Sequence, residues 1–562
     1  MSRRAATICL LVFSLAAAMS AFADGREKIA KELQQAKADS AVDVIVQFKH
    51  VPTELHHQKI RNVGGMVKAK LDIIKSGAYS VPANKLEELA GDPEVAYISP
   101  DRPVHAFLND TAPAINAPYA WASGYDGTGI GVAVIDSGIA DVSDLHSTYS
   151  GYRVVYSQDF VTGGSAVDKY GHGSHVAGII GGNGKNSTGW NYLYTFKGIA
   201  PNVNMINLRV LDQNGDGTDS AVISAIYRAI RLKWIYNIRV INLSLGRPVY
   251  ESYTLDPLCQ AVEQAWKAGI VVVVAAGNEG RNNSAGTNGY GTITAPGNDP
   301  YVITVGAMKT MGTPSRADDQ IASYSSKGPT LYDHVVKPDL VAPGNRIVSL
   351  YKAGLTLPTL YPGNEIPSSF YQVNGSNAPS SNYFWLSGTS MAAAVVSGAV
   401  SDLLEAQPWL TPDQVKARLM KTAYKTFPLY STATDPTTGV TYTSEYDIFT
   451  VGAGYLDLAA ALASSDMVPS SARSPSATYD AASGNTYLVT DAGSIWGMQP
   501  GWDINAIWGS GVVWGTGAVW GSGTVWNTNT TEGFGVVWGT GVVWGTSSTI
   551  TDASGIAVLG EN

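Results

Sequence analysis

Val132-Ala-Val-Ile-Asp136-Ser-Gly138 is a run of apolar, mostly β-branched residues that stops at a carboxylate and a glycine. Two similar runs follow, Arg239-Val-Ile-Asn-Leu-Ser244 and Ile270-Val-Val-Val-Val-Ala275, and from Ile130 to about Ala463 such runs alternate with helical stretches. A strand apolar on both faces must be covered on both, which predicts a mostly parallel sheet with helices on each side. Folds of this kind build their sites at the carboxyl ends of the strands, and Asp136 falls at one.

Three further motifs lie in the same stretch: His172-Gly-Ser-His-Val-Ala-Gly178, Ala275-Ala-Gly-Asn278-Glu-Gly280 and Gly388-Thr-Ser390-Met-Ala392. A carboxylate that orients an imidazole, which takes the proton of a hydroxyl, makes serine a nucleophile at neutral pH. Met391 to Glu405 reads as a helix whose amino end would aim N–H groups at Ser390, where an anionic intermediate is stabilised by donors and by the helix dipole. Asn278 ends an apolar strand with an amide to donate; a turn-forming Asn is the competing reading. His172 and His175, three apart, are also spaced for a metal, but the glutamate of the zinc motif and a third ligand are missing, so His172 is read as the base and His175 as structural.

In these motifs, and in the chain order Asp, His, Ser, the protein resembles the subtilisin-like serine proteases, the subtilases of peptidase family S8. The resemblance extends through Gly198-Ile-Ala-Pro201, Ser325-Ser-Lys-Gly-Pro329, Lys337-Pro-Asp-Leu-Val-Ala-Pro-Gly344 and Gly452-Ala-Gly-Tyr-Leu-Asp457. It implies a subtilisin-like three-layer α/β fold, a triad of Asp136, His172 and Ser390, and an oxyanion hole from Asn278 and the backbone of Ser390. It further implies that Gly215-Asp216-Gly217 and Ser244-Leu245-Gly246 pair with an extended substrate, and that Ala275-Ala276-Gly277 walls the P1 pocket. Two departures stand out. Ala394 and Val395 replace the family's usual Pro and His, and the segment from about Gly354 to Tyr383 looks like an insertion, either a lid or a loop laid aside.

Residues 1–23 have a basic Arg3-Arg4, an apolar stretch from about Ile8 to Ala18 and a small-residue ending, as in an export signal; an uncleaved anchor is the alternative, although the apolar part is short for a membrane span. Within residues 24–110, Val42 to about Val104 alternate strand, helix, strand, helix, strand, which fits a small ferredoxin-like α+β unit. Their position and the ending Val95-Ala-Tyr-Ile-Ser-Pro-Asp101 resemble a subtilase inhibitory propeptide, with removal expected within 105–113; a permanent accessory domain is the alternative. The catalytic domain is then expected over 111–463. Residues 464–494, rich in Ser, Ala, Pro and Thr, read as a linker.

Residues 495–562 carry a repeat: Trp496, Trp502, Trp508, Trp514, Trp520, Trp526, Trp538 and Trp544 share a six-residue register, with Glu532 in the skipped place. An even period puts every ring on one side of an extended chain, and the recurring Gly implies turns, so a β repeat is expected. Packing or assembly is its expected role, with contact to a cell surface or glycan as the competing one.

Charged residues are only 15% of the chain and the net charge is −9, which argues against nucleic acid as a partner. Cys9 leaves with the signal and Cys259 is left alone, so no internal disulfide is available. Polypeptide substrates, the chain's own propeptide as inhibitor, no membrane span after signal removal and a secreted or extracytoplasmic location are the expectations. No cofactor is expected for catalysis. Structural calcium is expected from the resemblance, without assigned ligands: Asp212-Gln-Asn-Gly-Asp216-Gly217 imitates the start of an EF-hand loop, but Ile223 stands where its closing glutamate belongs. A catalytically silent subtilase scaffold acting as a surface or glycan-binding protein is the rival to the enzyme.

Overall fold

The structure is a computed structural model that describes residues 27–496, apart from 31–32, 34–39, 73–74, 101–106, 148–150, 162–163, 285, 436–437, 481–484 and 492, together with Ile507, Gly560 and Glu561. The expected export signal, and the tryptophans of the repeat after Trp496, lie outside the described residues. The chain divides into two compact units, one ending at Val104 and the other starting at His105.

In the first unit, four antiparallel strands run in the order Met66–Leu71, Ser76–Pro82, Ala41–Phe48, Val95–Pro100, with helices Glu54–Asn62 and Leu86–Ala90 between them in sequence. That order is ferredoxin-like. Alternation places Val44, Val46 and Phe48 inside, where they meet Ile60, Leu86 and Leu89 from the helices. The leucines of the second helix therefore share one face, as their spacing predicts.

In the second unit, an eight-stranded sheet has Gly131–Asp136 near its middle, flanked by Asn204–Arg209 and Ile238–Leu243. Val271–Ala275, Ile303–Lys309 and Leu340–Pro343 continue the parallel pairing, and only the short Gln320–Ile321 runs antiparallel. Every residue of Gly131–Asp136 and Val271–Ala275 is buried, as expected of strands covered on both faces. Helix His172–Gly181 packs on helix Thr389–Ala406, and helix Asp219–Tyr236 on helix Pro257–Lys267. The Thr389–Ala406 helix is buried from Thr389 to Leu404, so it runs through the core rather than over it.

The segment 354–383 folds instead of hanging loose. Glu365–Pro367 and Ile347–Leu350 flank Pro379–Leu386 in a three-stranded antiparallel sheet, and Leu357, Tyr371 and Tyr383 are buried. The sheet is tied to the His172 helix by His175, whose Nε2 lies 3.0 Å from the Ile347 carbonyl and 3.1 Å from that of Phe384. Carbonyls only accept, so Nε2 carries the proton. Burial, with a smaller effect from His172, holds the His175 pKa down at about 3.

Described residues of the stretch 464–494, whose composition reads as a linker, are packed onto the domain. Val468, Ala472, Ala477, Ile495 and Trp496 join Val336, Met420 and Phe449 in a second apolar cluster. The Trp496 indole donates to the Arg473 carbonyl at 2.6 Å, and Ser476–Asp480 pairs with Asn485–Val489 as a hairpin. Ser474 donates to Asp339, which lies 2.7 Å from Lys337 and 3.1 Å from Lys416. Burial alone would raise the Asp339 pKa; the two lysines hold it below its ordinary value. Composition hides this docking because the apolar residues are spaced widely among Ser, Ala and Pro.

Two outcomes follow for a Ser390→Ala chain, which cannot digest itself if Ser390 is the nucleophile. Trp496→Ala, which empties a site with 1% exposure, lowers stability by about 3–5 kcal/mol in urea unfolding. Since His175 takes up its proton near pH 6.5 when unfolded but only near 3 when folded, its contribution is complete above pH 6.5 and is lost as pH falls towards 3. Thermal unfolding over that window should slope by up to about 1.4 kcal/mol per pH unit more than in His175→Gln.

Candidate active site

Asp136 closes its strand at the carboxyl edge of the sheet, with no exposed surface. Its Oδ1 and Oδ2 lie 2.8 and 3.0 Å from His172 Nδ1. An ionised carboxylate only accepts, so Nδ1 carries the proton and Nε2 is left basic. The Ser137 N–H adds a further bond to Asp136 Oδ1 at 2.7 Å.

The small residues of His172-Gly-Ser-His are required by how closely this helix approaches the strand end. A Cβ on Gly173 would sit 2.2 Å from the Gly138 carbonyl oxygen and 3.1 Å from Asp136 Oδ1, so any side chain there would push His172 away from its partner. Asp168, four residues before His172, organises the same helix start. Its Oδ1 accepts from Gly171 N–H (2.8 Å), Tyr170 N–H (3.0 Å) and Ser137 Oγ (2.9 Å), and its Oδ2 from the N–H (3.0 Å) and hydroxyl (2.6 Å) of Ser174. Burial nevertheless raises its pKa. Sequence reading passed over Asp168; the signal that could have found it is an acidic residue just ahead of a helix start.

Ser390 is the second residue of its helix and 4% exposed. It is bound reciprocally to Ser244: Ser390 Oγ donates to the Ser244 carbonyl at 3.1 Å, and Ser244 Oγ to the Ser390 carbonyl at 2.8 Å. Asn278 is fixed from the other side. Its Oδ1 accepts from the Thr389 N–H (2.9 Å) and hydroxyl (3.1 Å), while that hydroxyl accepts from the Gly277 N–H at 3.1 Å. With Oδ1 occupied, what Asn278 offers the adjoining cavity is its Nδ2 amide hydrogens. The Thr389 part in this arrangement was not foreseen from the sequence.

A cavity of about 340 Å³ opens at Ser390 and Asn278, walled by Ser244, Leu245 and Gly246 on one side and by Ala275 and Gly277 on the other. Ala276, the remaining member of that wall, is turned into the sheet, its N–H donating to the Val305 carbonyl at 3.0 Å. Arg247 also lines the cavity, but Asp219 (2.9 Å) and Asp256 (2.8 Å) claim its charge. Burial works against that charge, and the two carboxylates more than offset it, raising the pKa.

Gly215, Asp216 and Gly217 lie outside this cavity, beside the loop that leads into His172: a Cβ on Gly215 would be 2.8 Å from the Tyr170 ring. The neighbouring Asp212 carboxylate is used within its own turn, accepting from the N–H groups of Asn214 (2.7 Å) and Asp216 (3.1 Å). This EF-hand-like stretch is therefore closed on itself. Among the described residues no group of three His, Cys, Asp or Glu comes together to hold a metal.

Residues 127–454 match the model of the subtilase family, peptidase S8. Among curated proteins, serine protease AprX of Bacillus subtilis (strain 168) is 34% identical over 396 residues, covering 67% of this chain and 82% of the relative. Subtilisin E of the same strain is 31% identical over 421 residues, 74% of this chain and 91% of the relative. The extracellular serine proteinase of Thermus sp. (strain Rt41A) is 33% identical over 395 residues, 66% of this chain and 77% of the relative. Subtilases act without a catalytic cofactor and commonly bind structural calcium. With its apolar parallel sheet and these relatives, the chain belongs to the subtilase family and is a serine endopeptidase.

Proposed function

We propose that this enzyme cleaves polypeptides through a Ser390 acyl-enzyme, with His172 as general base and acid, Asp136 as its orienting carboxylate, and the Asn278 amide with the Ser390 N–H as oxyanion donors. The observation that carries the reading is the Nδ1 bond of His172 to buried Asp136, in the same unit as a nucleophile seated at a helix start. Attack requires the Ser390 hydroxyl to turn from the Ser244 carbonyl to His172 Nε2. Oγ then bonds to the scissile carbonyl carbon while Nε2 takes its proton, and Asp136 stabilises the imidazolium. Collapse of the tetrahedral intermediate breaks the C–N bond, with the Nε2 proton leaving on the amine. Water, deprotonated by His172, then releases the carboxylic product and restores Ser390.

Ser244-Leu245-Gly246 and Gly215-Asp216-Gly217 are assigned to main-chain pairing with extended substrate, and Ala275-Ala276-Gly277 to the P1 wall. Backbone pairing demands little of the substrate sequence, so broad cleavage of flexible polypeptide is the expected activity. The first unit is assigned as an inhibitory propeptide and residues 1–23 as its export signal, which makes the chain a secreted or extracytoplasmic zymogen. The division between Val104 and His105 favours a cut at the early end of 105–113, since Thr111 and Ala112 are already buried in the second unit. Among the described residues no helix is long and apolar enough to cross a membrane.

After exported expression, intact mass and amino-terminal sequencing should show wild type shortened to a start near 105–113 and Ser390→Ala uncut; processing of both, or of neither, would refute self-maturation by Ser390. For Asn278→Ala, kcat on an unstructured protein substrate should fall by about 10²–10³ with KM little changed, a magnitude carried over from loss of the corresponding donor in subtilisin itself. An unchanged kcat would remove Asn278 from the oxyanion hole.

A further inference from the structure

Glu561 lies in a socket built for a carboxylate, on the second unit. Its N–H donates to Asn345 Oδ1 at 2.8 Å and its carbonyl accepts from Asn345 Nδ2 at 2.9 Å, so one amide side chain satisfies both backbone groups. Its Oε1 accepts from Arg281 Nη2 at 2.8 Å and from the Ser323 hydroxyl, and its Oε2 lies 3.2 Å from Lys309 Nζ. The side chains of Glu561 and Lys309 are 3% and 4% exposed. Gly560 is shaped to the entrance: its φ is +64°, and a Cβ there would fall 2.3 Å from Ser387 Oγ and 2.9 Å from Asn345 Oδ1.

These groups are separate positions between Arg281 and Asn345, far in sequence from Glu561, and they match a Gly-Glu pair in backbone, charge and steric fit at once. Arg281 has other partners, Asp435 at 2.9 Å and Ser323 at 2.6 Å, whereas Glu561 is the carboxylate beside Lys309. A lysine as buried as this is costly without an opposing charge. Burial alone would raise the Glu561 pKa; Lys309, Ser323 and Arg281 hold it below its ordinary value.

We propose that Arg281, Lys309, Ser323 and Asn345 form a receptor for Gly560-Glu561 of the same chain, and that this seat anchors the far end of the Trp-repeat segment to the catalytic unit. The near end is already held by the burial of Trp496 and Ile507. A single cut between the two anchors would then leave the distal piece bound rather than shed, so losing the repeat would take more than one cleavage.

The test uses the full chain carrying Ser390→Ala, with a recognition sequence for a site-specific endoprotease inserted after Glu532. After cleavage, the distal fragment should co-elute with the catalytic unit in gel filtration, and Glu561→Gln should weaken its retention at least tenfold. A free peptide of residues 557–562 should displace the fragment from the otherwise unaltered protein, with the Glu561→Gln peptide needing at least tenfold more. Separate elution, equal retention with Gln, or equal displacement by the two peptides would each overturn the proposal. Peptide displacement needs no change in the receptor, so misfolding of a variant cannot imitate it. Neither readout involves hydrolysis by this enzyme, so the result stands apart from the catalytic assignment.

Discussion

The site depends on the amino end of a fully buried helix being held against the carboxyl edge of a parallel sheet. Thr389 holds Asn278 with both its amide and its hydroxyl, and Ser390 exchanges bonds with Ser244, so one turn of helix is joined to the ends of two strands. These bonds are buried and join groups from separate elements, so each helps to fix the orientation of the next. Gly388 N–H donates to the Gly344 carbonyl at 2.8 Å, which ties the same turn to the loop after Leu340–Pro343.

A second constraint sets the imidazole. His172 starts its helix against the end of the Asp136 strand at a distance only glycine at 173 permits, while Asp168 gathers the N–H groups of that helix start. The inserted sheet supports the helix from another side, through the His175 bonds to Ile347 and Phe384 and through the Leu357 N–H, which donates to the Tyr170 carbonyl at 2.9 Å. This sheet is therefore part of the mounting of the His172 helix. The replacement of the family's Pro and His by Ala394 and Val395 leaves an uninterrupted buried helix there, in line with the helix preference of Ala.

Cys259 is free and buried, so no disulfide from it contributes to the stability of the second unit. The second unit uses a large apolar core together with buried ion clusters, in which Asp339 meets Lys337 and Lys416, and Glu561 meets Arg281 and Lys309. Such clusters hold shape only when every partner is present, because removing one leaves a charge stranded in a dry interior. Both of them recruit residues from beyond 463, Ser474 and Glu561, so the segments after the catalytic core complete its packing.

Much of this was legible in the residues alone. Uninterrupted β-branched runs define a sheet covered on both faces, because a strand with no polar side cannot face water, and short local motifs mark Asp136, His172, Asn278 and Ser390 as the candidate site. The alternation in Ala41–Phe48 likewise marks a half-covered antiparallel strand. What tertiary structure alone decided are the pairings between residues far apart in sequence: Asp168 with the start of the His172 helix, Thr389 with Asn278, the inserted sheet with His175, the packed course of 464–496 and the seat of Glu561. Apart from Asp168, whose place just ahead of a helix start is a local signal, none of these has a period or a spacing to read. Each is selected by how cheaply a buried polar group finds a partner once the sheet and its central helix have enclosed it.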